Sequence, residues 1–238
     1  MTFYTPLEWD TNFFGFPVAQ IIPPVLDRQT LASVLEELRE LGFRLAYWQT
    51  PLKDQESRLA GEAEAGYLAD HRLTYSMDLQ GLEQGDMELN FMVETCRGEA
   101  DQELERLALL SGVHSRFNLD PHISQAQFEE LYLLRLRRAL IEEDETVLAL
   151  RFSGKVVGMV ALGERDGRGD ISLLAVDVPF RRRGFGKVLV RASQAWLATR
   201  GHDTGQVVTQ ERNLPARRLY EICGFSLECL DALFHFWL

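Results

Sequence analysis

The sequence has no apolar run long enough to cross a bilayer, and Met1-Thr2-Phe3-Tyr4-Thr5-Pro6-Leu7-Glu8 has no basic region leading into an apolar one. The expectation is a cytoplasmic chain with no membrane partner. Cysteine is scarce as well. Cys96, Cys223 and Cys229 form neither a disulfide framework nor a Cys-x-x-Cys pair, and they read as small buried hydrophobes. Cations are outnumbered, with 25 Lys plus Arg against 36 Asp plus Glu and a net charge of -11. A nucleic-acid surface needs clustered positive charge to release counterions, so no nucleic-acid partner is expected. His114 and His122 have no second ligand cluster near them, so no metal is expected either.

What remains is the composition of a globular protein, 46% hydrophobic and 26% charged over 238 residues, enough for one large domain or two small ones. Trp9 to Pro17 reads as a dense aromatic turn, followed by a strand at Val18–Ile22 that Pro23-Pro24 ends. Leu31, Val34, Leu35, Leu38 and Leu41 share one face of a helix over 27–41, and Gly42 ends it. Phe43 to Gln49 reads as a strand, residues 54–70 hold a short helix, and alternation from Arg72 to Leu79 gives another strand. The polar stretch Gln80 to Glu88, with Gly81 and Gly85, sets the expected boundary between a small α/β domain over 1–88 and a second domain over 89–238.

In the second part, helices over 101–112 and 124–141 precede a hairpin of strands at 146–152 and 156–164, joined by Ser153-Gly154-Lys155. A strand over 171–178 leads to a helix over 186–200, a strand over 204–209, a short helix over 215–223 and a last aromatic strand from Phe225. That order predicts an α/β fold around a mixed sheet. The aromatic end, Leu233 to Leu238, is suited either to completing the sheet or to a homodimer contact. Leu41-Gly42-Phe43 and Cys223-Gly224-Phe225 echo one another at helix-to-strand joints.

The most informative stretch is Val176-Asp177-Val178-Pro179-Phe180-Arg181-Arg182-Arg183-Gly184-Phe185-Gly186-Lys187. A strand there runs into a basic turn whose glycines allow positive φ, and the turn feeds a helix start. Unsatisfied amides at that start, with the helix dipole, attract an anion such as a pyrophosphate. Gly184-x-Gly186 lacks the third glycine of a dinucleotide loop, and no Gly-Lys-Ser/Thr closes a triphosphate loop. From spacing alone, a solvated helix start remains the alternative.

Arg181-x-x-Gly184-x-Gly186 resembles the Arg/Gln-x-x-Gly-x-Gly/Ala signature of the GNAT acyltransferases, and Asn213-Leu214-Pro215-Ala216-Arg217-Arg218-Leu219-Tyr220-Glu221-Ile222-Cys223-Gly224-Phe225 matches the family's Asn-x-x-Ala-x-x-Leu-Tyr-x-x-x-Gly-Phe block. The resemblance implies a GNAT fold and acetyl-coenzyme A as cosubstrate. Amides of Arg182, Arg183, Gly184, Phe185, Gly186 and Lys187 would hold its pyrophosphate, with Arg181 also at the cofactor site, and Ala175, Val176 and Val178 would pair with its pantetheine arm. Asn213 reads as a helix cap at the site. Tyr220 would act as general acid toward the departing thiolate, and a backbone amide near Val176 as donor to the developing oxyanion. A core tyrosine is the plainer reading of Tyr220. No histidine is placed to activate Cys223 as a nucleophile.

The run Leu7-Glu8-Trp9-Asp10-Thr11-Asn12-Phe13-Phe14-Gly15 and the segment Ser115-Arg116-Phe117 resemble the acetyltransferases of dTDP-linked 4-amino-4,6-dideoxy sugars, whose GNAT domain follows a small α/β domain. That resemblance implies a nucleotide-linked amino sugar as the small-molecule acceptor and a role in polysaccharide biosynthesis. Arg116 would pair with a phosphate and Phe117 with a sugar or base; a surface arginine beside a core plug is the competing reading. His114 and Glu164 stand as candidates for the general base. Acetylation of a peptide amino terminus or small amine, and a noncatalytic acyl-coenzyme A module, remain open.

Overall fold

A computed structural model describes residues 2–80 and 93–238, so the expected boundary at 88/89 lies outside the described residues. The chain begins with β1 (Tyr4–Pro6), α1 (Glu8–Phe14), β2 (Val18–Ile21), α2 (Arg28–Glu40), β3 (Leu45–Pro51), α3 (Gln55–Ala63) and β4 (Tyr67–Asp78). Next come β5 (Val93–Cys96), α4 (Gln102–Ser111), the single turn α5 (Arg116–Leu119) and α6 (Gln125–Ile141). The remainder is β6 (Thr146–Phe152), β7 (Lys155–Arg165), β8 (Arg168–Val176), α7 (Phe185–Thr199), β9 (Thr204–Gln210), α8 (Leu214–Ile222) and β10 (Ser226–Trp237).

All the described strands lie in one ten-stranded sheet, in the order β1-β2-β3-β10-β4-β9-β8-β7-β6-β5. The sheet is mixed, since β2 runs parallel to β3 and β8 parallel to β9 while their other neighbours are antiparallel. The two tight hairpins follow from residues that accept positive φ: Ser153 and Gly154 at 51° and 79°, Asp166 and Gly167 at 56° and 74°. The helices cover both faces in three apolar clusters. One, with Leu107, Leu131 and Leu136, lies under α4 and α6; another, with Leu189, Val190 and Leu197, lies under α7 and α8; the third, with Leu31, Leu35 and Trp48, lies under α2 and α3. Each fully buried leucine contributes roughly 1.5–3 kcal/mol.

The strands are interleaved. β10 sits between β3 and β4, and β4 sits between β10 and β9. Thus β2-α2-β3-α3-β4 and β8-α7-β9-α8-β10 have the same element order, and each gives its last strand to the gap beside the other's parallel pair. The aromatic end of the chain completes the sheet from within: Leu233 to Trp237 pair with Gln49 to Leu45.

The structure corrects some expectations. The aromatic stretch after Leu7 is helical, not a turn: Trp9 and Phe13, one helical turn apart, stack at 5.4 Å, and Gly15 at φ 74° ends the helix. β4 starts at Tyr67, ahead of the alternation that begins at Arg72, because it pairs with β10 from His235 onward. Cys223 is buried, but Cys96 is only partly so and Cys229 is exposed on β10.

Candidate acyl-donor and acceptor site

β8 pairs with β9 only from Gly169 to Ile171, opposite Gly205 to Val207, and then the two strands part. The divergence begins at a register shift in the β7–β8 ladder that leaves Ser172 as an extra residue, its Oγ donating to the Ala161 carbonyl at 3.1 Å. A bulge there re-aims the strand. The other edge of β8 stays bonded to β7 as far as Val176. The result is a wedge at the carboxyl ends of two parallel strands, where open α/β sheets take ligands.

Beyond Val176 the chain is braced before it reaches α7. Asp177 accepts from the Val178 amide at 2.8 Å and from both terminal nitrogens of Arg106, on α4, at 2.6 and 3.0 Å. Arg181 turns back so that its Nε donates to the Val176 carbonyl at 3.0 Å. Arg182 and Gly184 have φ of 60° and 85°; at Gly184, the residue before α7, an L side chain would be strained. Gly184 supplies no side-chain cap, so the first amides of α7 have no partner from that position. A Cβ on Gly186 would stand 3.1 Å from Leu219, which keeps the turn close to α8. Three exposed arginines and Lys187 surround this bare helix end. The residues present fit a pyrophosphate there.

α8 lies alongside. Asn213 caps it weakly, accepting from the Ala216 amide at 3.4 Å, and Pro215 stands in the first turn, where its missing donor is harmless. Tyr220 is 4% exposed and packs against Tyr75 and Phe225 at ring separations of 6.2 and 6.0 Å. Burial first, then the charges of Asp170 and Cys223, push its phenol above its ordinary value, so it stays protonated; no hydrogen-bond partner perturbs it.

A cavity of about 1190 Å³ runs through the wedge. It is lined by Ala175, Val176, Arg181, Arg182, Gly184, Phe185, Gly186, Lys187, Asn213 and Tyr220, and also by His114, Arg116, Phe117 and Glu164. Val178 and Arg183 lie outside this lining; Val178 is exposed in a 3-10 turn, and the Arg183 guanidinium sits 5.5 Å from the centre of the Phe180 ring. His114 sits half-buried in the turn between α4 and α5, and Glu164 is exposed near the end of β7. Phe117 is both lining and core, 5% exposed.

The far end of the cavity is built from the amino-terminal strands: Gln20 on β2, Gln49 on β3, and Asp70 and Arg72 on β4. Two carboxyls there are not singled out by sequence. Asp70 is 4% exposed with an unpartnered Oδ1, and burial pushes it up to about 6 against the opposing charges of Arg212, His71 and Arg116. Asp170 is equally buried and pairs with Arg165 through one oxygen while the other lacks a partner; burial raises it too, with Arg165 opposing. The only signal for Asp70 is an isolated acid in the apolar strand Tyr67-Leu68-Ala69.

Residues 113–225 match the model of the acetyltransferase (GNAT) family. Mycothiol acetyltransferase of Clavibacter sepedonicus is 29% identical over 120 residues, 50% of this chain and 35% of that protein. Spore coat polysaccharide biosynthesis protein SpsD of Bacillus subtilis is 29% identical over 131 residues, 55% of this chain and 45% of that protein. The matched regions thus span less than half of either relative. Among solved structures, a GCN5-related N-acetyltransferase from Sphaerobacter thermophilus superposes with a TM-score of 0.62 at 16% identity, over 98% of this chain and 75% of that one, which bears on the fold alone. The parted strands and the bare start of α7 both lie inside the segment, residues 113–225, that is similar to the acetyltransferase (GNAT) family.

Proposed function

We propose that this chain is an acetyl-coenzyme A-dependent N-acetyltransferase whose acceptor is the amine of a nucleotide-linked dideoxy amino sugar. The observation that carries the reading is one continuous cavity with an anion-receptive helix start at one end and a polar end rich in arginine at the other. Bound acetyl-coenzyme A supplies an activated acetyl group as a thioester. The amides from Arg182 to Lys187 hold its pyrophosphate, and the unpaired edge of β8 beyond Ile171 offers backbone groups to the pantetheine arm. A free amide near Val176 donates to the carbonyl oxygen as negative charge gathers there.

The acceptor amine forms a new C–N bond as the C–S bond breaks. Tyr220, kept protonated, gives its proton to the departing sulfur. The proton lost by the amine passes to a carboxyl at the acceptor end. Asp70, with one oxygen unpartnered and a pKa of about 6, suits that task better than exposed Glu164. Arg72, Arg116 and Arg135 line the acceptor end and favour an anionic acceptor over a cationic peptide. A relative named for spore coat polysaccharide biosynthesis supports a sugar, whereas the relative named mycothiol acetyltransferase keeps a small amine as the second reading.

The test is coenzyme A release from acetyl-coenzyme A with a panel of dTDP-linked 4-amino and 3-amino sugars, a small amine and a peptide. Turnover of one nucleotide sugar, lost in Tyr220→Phe with donor binding retained, is the expected result. Turnover of only the amine or the peptide would overturn the acceptor assignment. Tight donor binding with no turnover would leave a binding module.

A further inference from the structure

Behind the acceptor end lies a set of buried polar groups that the reaction does not use. Asp120 is 1% exposed, and each of its oxygens has two partners: the His122 amide at 2.9 Å and His122 Nδ1 at 3.0 Å on one, His235 Nδ1 at 2.6 Å and Trp237 Nε1 at 3.0 Å on the other. Burial alone would raise this carboxyl, but those hydrogen bonds outweigh it and hold it down to about 2. His235 is 0% exposed, and burial, with Arg116 alongside, holds its ring down to about 4 against the pull of Asp120. It is therefore neutral near pH 7.

Those two states fix the tautomer. Facing a carboxylate that only accepts, Nδ1 of His235 carries the hydrogen, so Nε2 carries a lone pair. That atom is 2.9 Å from Nη1 of Arg116 and accepts from it. The guanidinium carbon of Arg116 is 3.9 Å from the centre of the Tyr47 ring and 4.3 Å from that of Phe117. Arg116 has no ion pair among the described residues; Asp10, hydrogen-bonded by Tyr47 at 3.3 Å, is a nearby acid. Arg72 and Arg135 line the same cavity and repel it.

The choice of partner matters physically. A carboxylate in direct contact would fix Arg116 and also neutralise it. A neutral imidazole fixes one N–H, carries no charge, and leaves the remaining donors and the full positive charge to the cavity. We propose that Asp120 and His235 are positioning residues for Arg116, and that Arg116 so held, flanked by Arg72 and Arg135, binds an oxyanion group of the acceptor, a diphosphate in the nucleotide-sugar case. This rests on the acceptor reading above.

The test uses the full chain saturated with acetyl-coenzyme A, so that the donor's own phosphate site is filled. dTDP, which has no amine, and inorganic pyrophosphate are titrated calorimetrically against the native chain and against His235→Leu, His235→Gln and Asp120→Asn. His235→Leu is expected to weaken both ligands at least ~10-fold, the scale of a lost hydrogen bond to a charged group. Gln can accept from Arg116 and donate to Asp120 at once, so His235→Gln should stay within about 3-fold of native, a rescue that a filling role alone would not predict. In Asp120→Asn the amide can donate to Nδ1 and move the ring hydrogen to Nε2, facing Arg116. Affinity should fall as in His235→Leu, and nitrogen NMR should show the exchanged tautomer.

Retained acetyl-coenzyme A affinity identifies the variants that are folded; if His235→Leu is not, Asp120→Asn carries the comparison. Equal binding of pyrophosphate by folded native and variant chains, or no binding by any, overturns the relay. Pyrophosphate binding that follows the predicted ranking without dTDP binding would keep the relay and remove the nucleotide instead.

Discussion

β2-α2-β3-α3-β4 and β8-α7-β9-α8-β10 share an element order and a parallel strand pair, yet only in the second do the paired strands part. In the first, pairing covers all of β2, Val18 to Ile21 opposite Leu45 to Trp48. In the second it stops at Ile171 while β8 continues to Val176. The joints differ too. Ile22-Pro23-Pro24-Val25-Leu26-Asp27 has no glycine and no cation, and Asp27 caps α2 by accepting from the Thr30 amide at 2.8 Å. A carboxylate already satisfies that helix start, and Trp48, fully buried, donates to the Pro23 carbonyl at 2.8 Å across the adjacent space. At α7 the same position is a glycine with no side chain to give. The second half thus combines a bulge, a missing cap and cations, and the first half has none of the three at its corresponding joint.

The comparison can be broken at its ends. The largest effect is expected from Tyr220→Phe in the open half, which should lower kcat about 10²–10⁴-fold, the range of general acid catalysis, without changing acetyl-coenzyme A affinity in equilibrium titration. Next is Trp48→Ala in the closed half. It should destabilise the chain by about 3–5 kcal/mol in urea unfolding, and the titration should still show one donor per chain. A second bound donor would mean that Trp48 alone closes the first half.

A third test concerns the joint between the halves, where His235 meets Asp120 and Arg116. A base whose folded pKa lies below its unfolded one stabilises the neutral state. His235, lowered from 6.5 to about 4, should contribute its full stability above pH 6.5 and lose up to about 3 kcal/mol as pH falls toward 4. Asp120, lowered from 3.8 to about 2, contributes above pH 3.8 and loses that contribution only as pH falls toward 2. Asp70, raised to about 6, gives the opposite slope in both chains and cancels in their difference, so the gap in denaturant midpoint between the native chain and His235→Gln should shrink as pH falls from 7 to 4. The smallest effect is expected from Gly184→Val, since a β-branched side chain is strained at φ 85° and the turn should relax away from it, weakening acetyl-coenzyme A roughly 10- to 100-fold and costing at most about 1–3 kcal/mol of stability.

Much of the open half is legible in sequence because its determinants are local: Arg181, Gly184 and Gly186 stand within one turn, and Asn213 to Phe225 within one helix and its exit. The acceptor end is not, because its groups meet only through strand pairing. Asp120 and His235 touch across 115 residues of sequence, and His235 reads as one more member of an aromatic strand. Asp70 falls just outside the alternation that marks β4. The echo of Leu41-Gly42-Phe43 with Cys223-Gly224-Phe225 points to related halves but joins unlike positions: the first leads from α2 to β3, the second from α8 to β10. Periodicity gives no sign of the strand exchange, since β10 has the same alternation whichever neighbours it takes.

That exchange bears on how the chain comes to be folded at all. β10 leaves the ribosome well after β3 and β4, and its places against them must wait for it. Until then β3 and β4 hold bare hydrogen-bonding edges over apolar surface, the kind of intermediate that is slow to resolve and prone to aggregate. A nascent chain stalled before Ser226 would therefore be a natural client for a chaperone, although α2, α3 and α7 could already have formed.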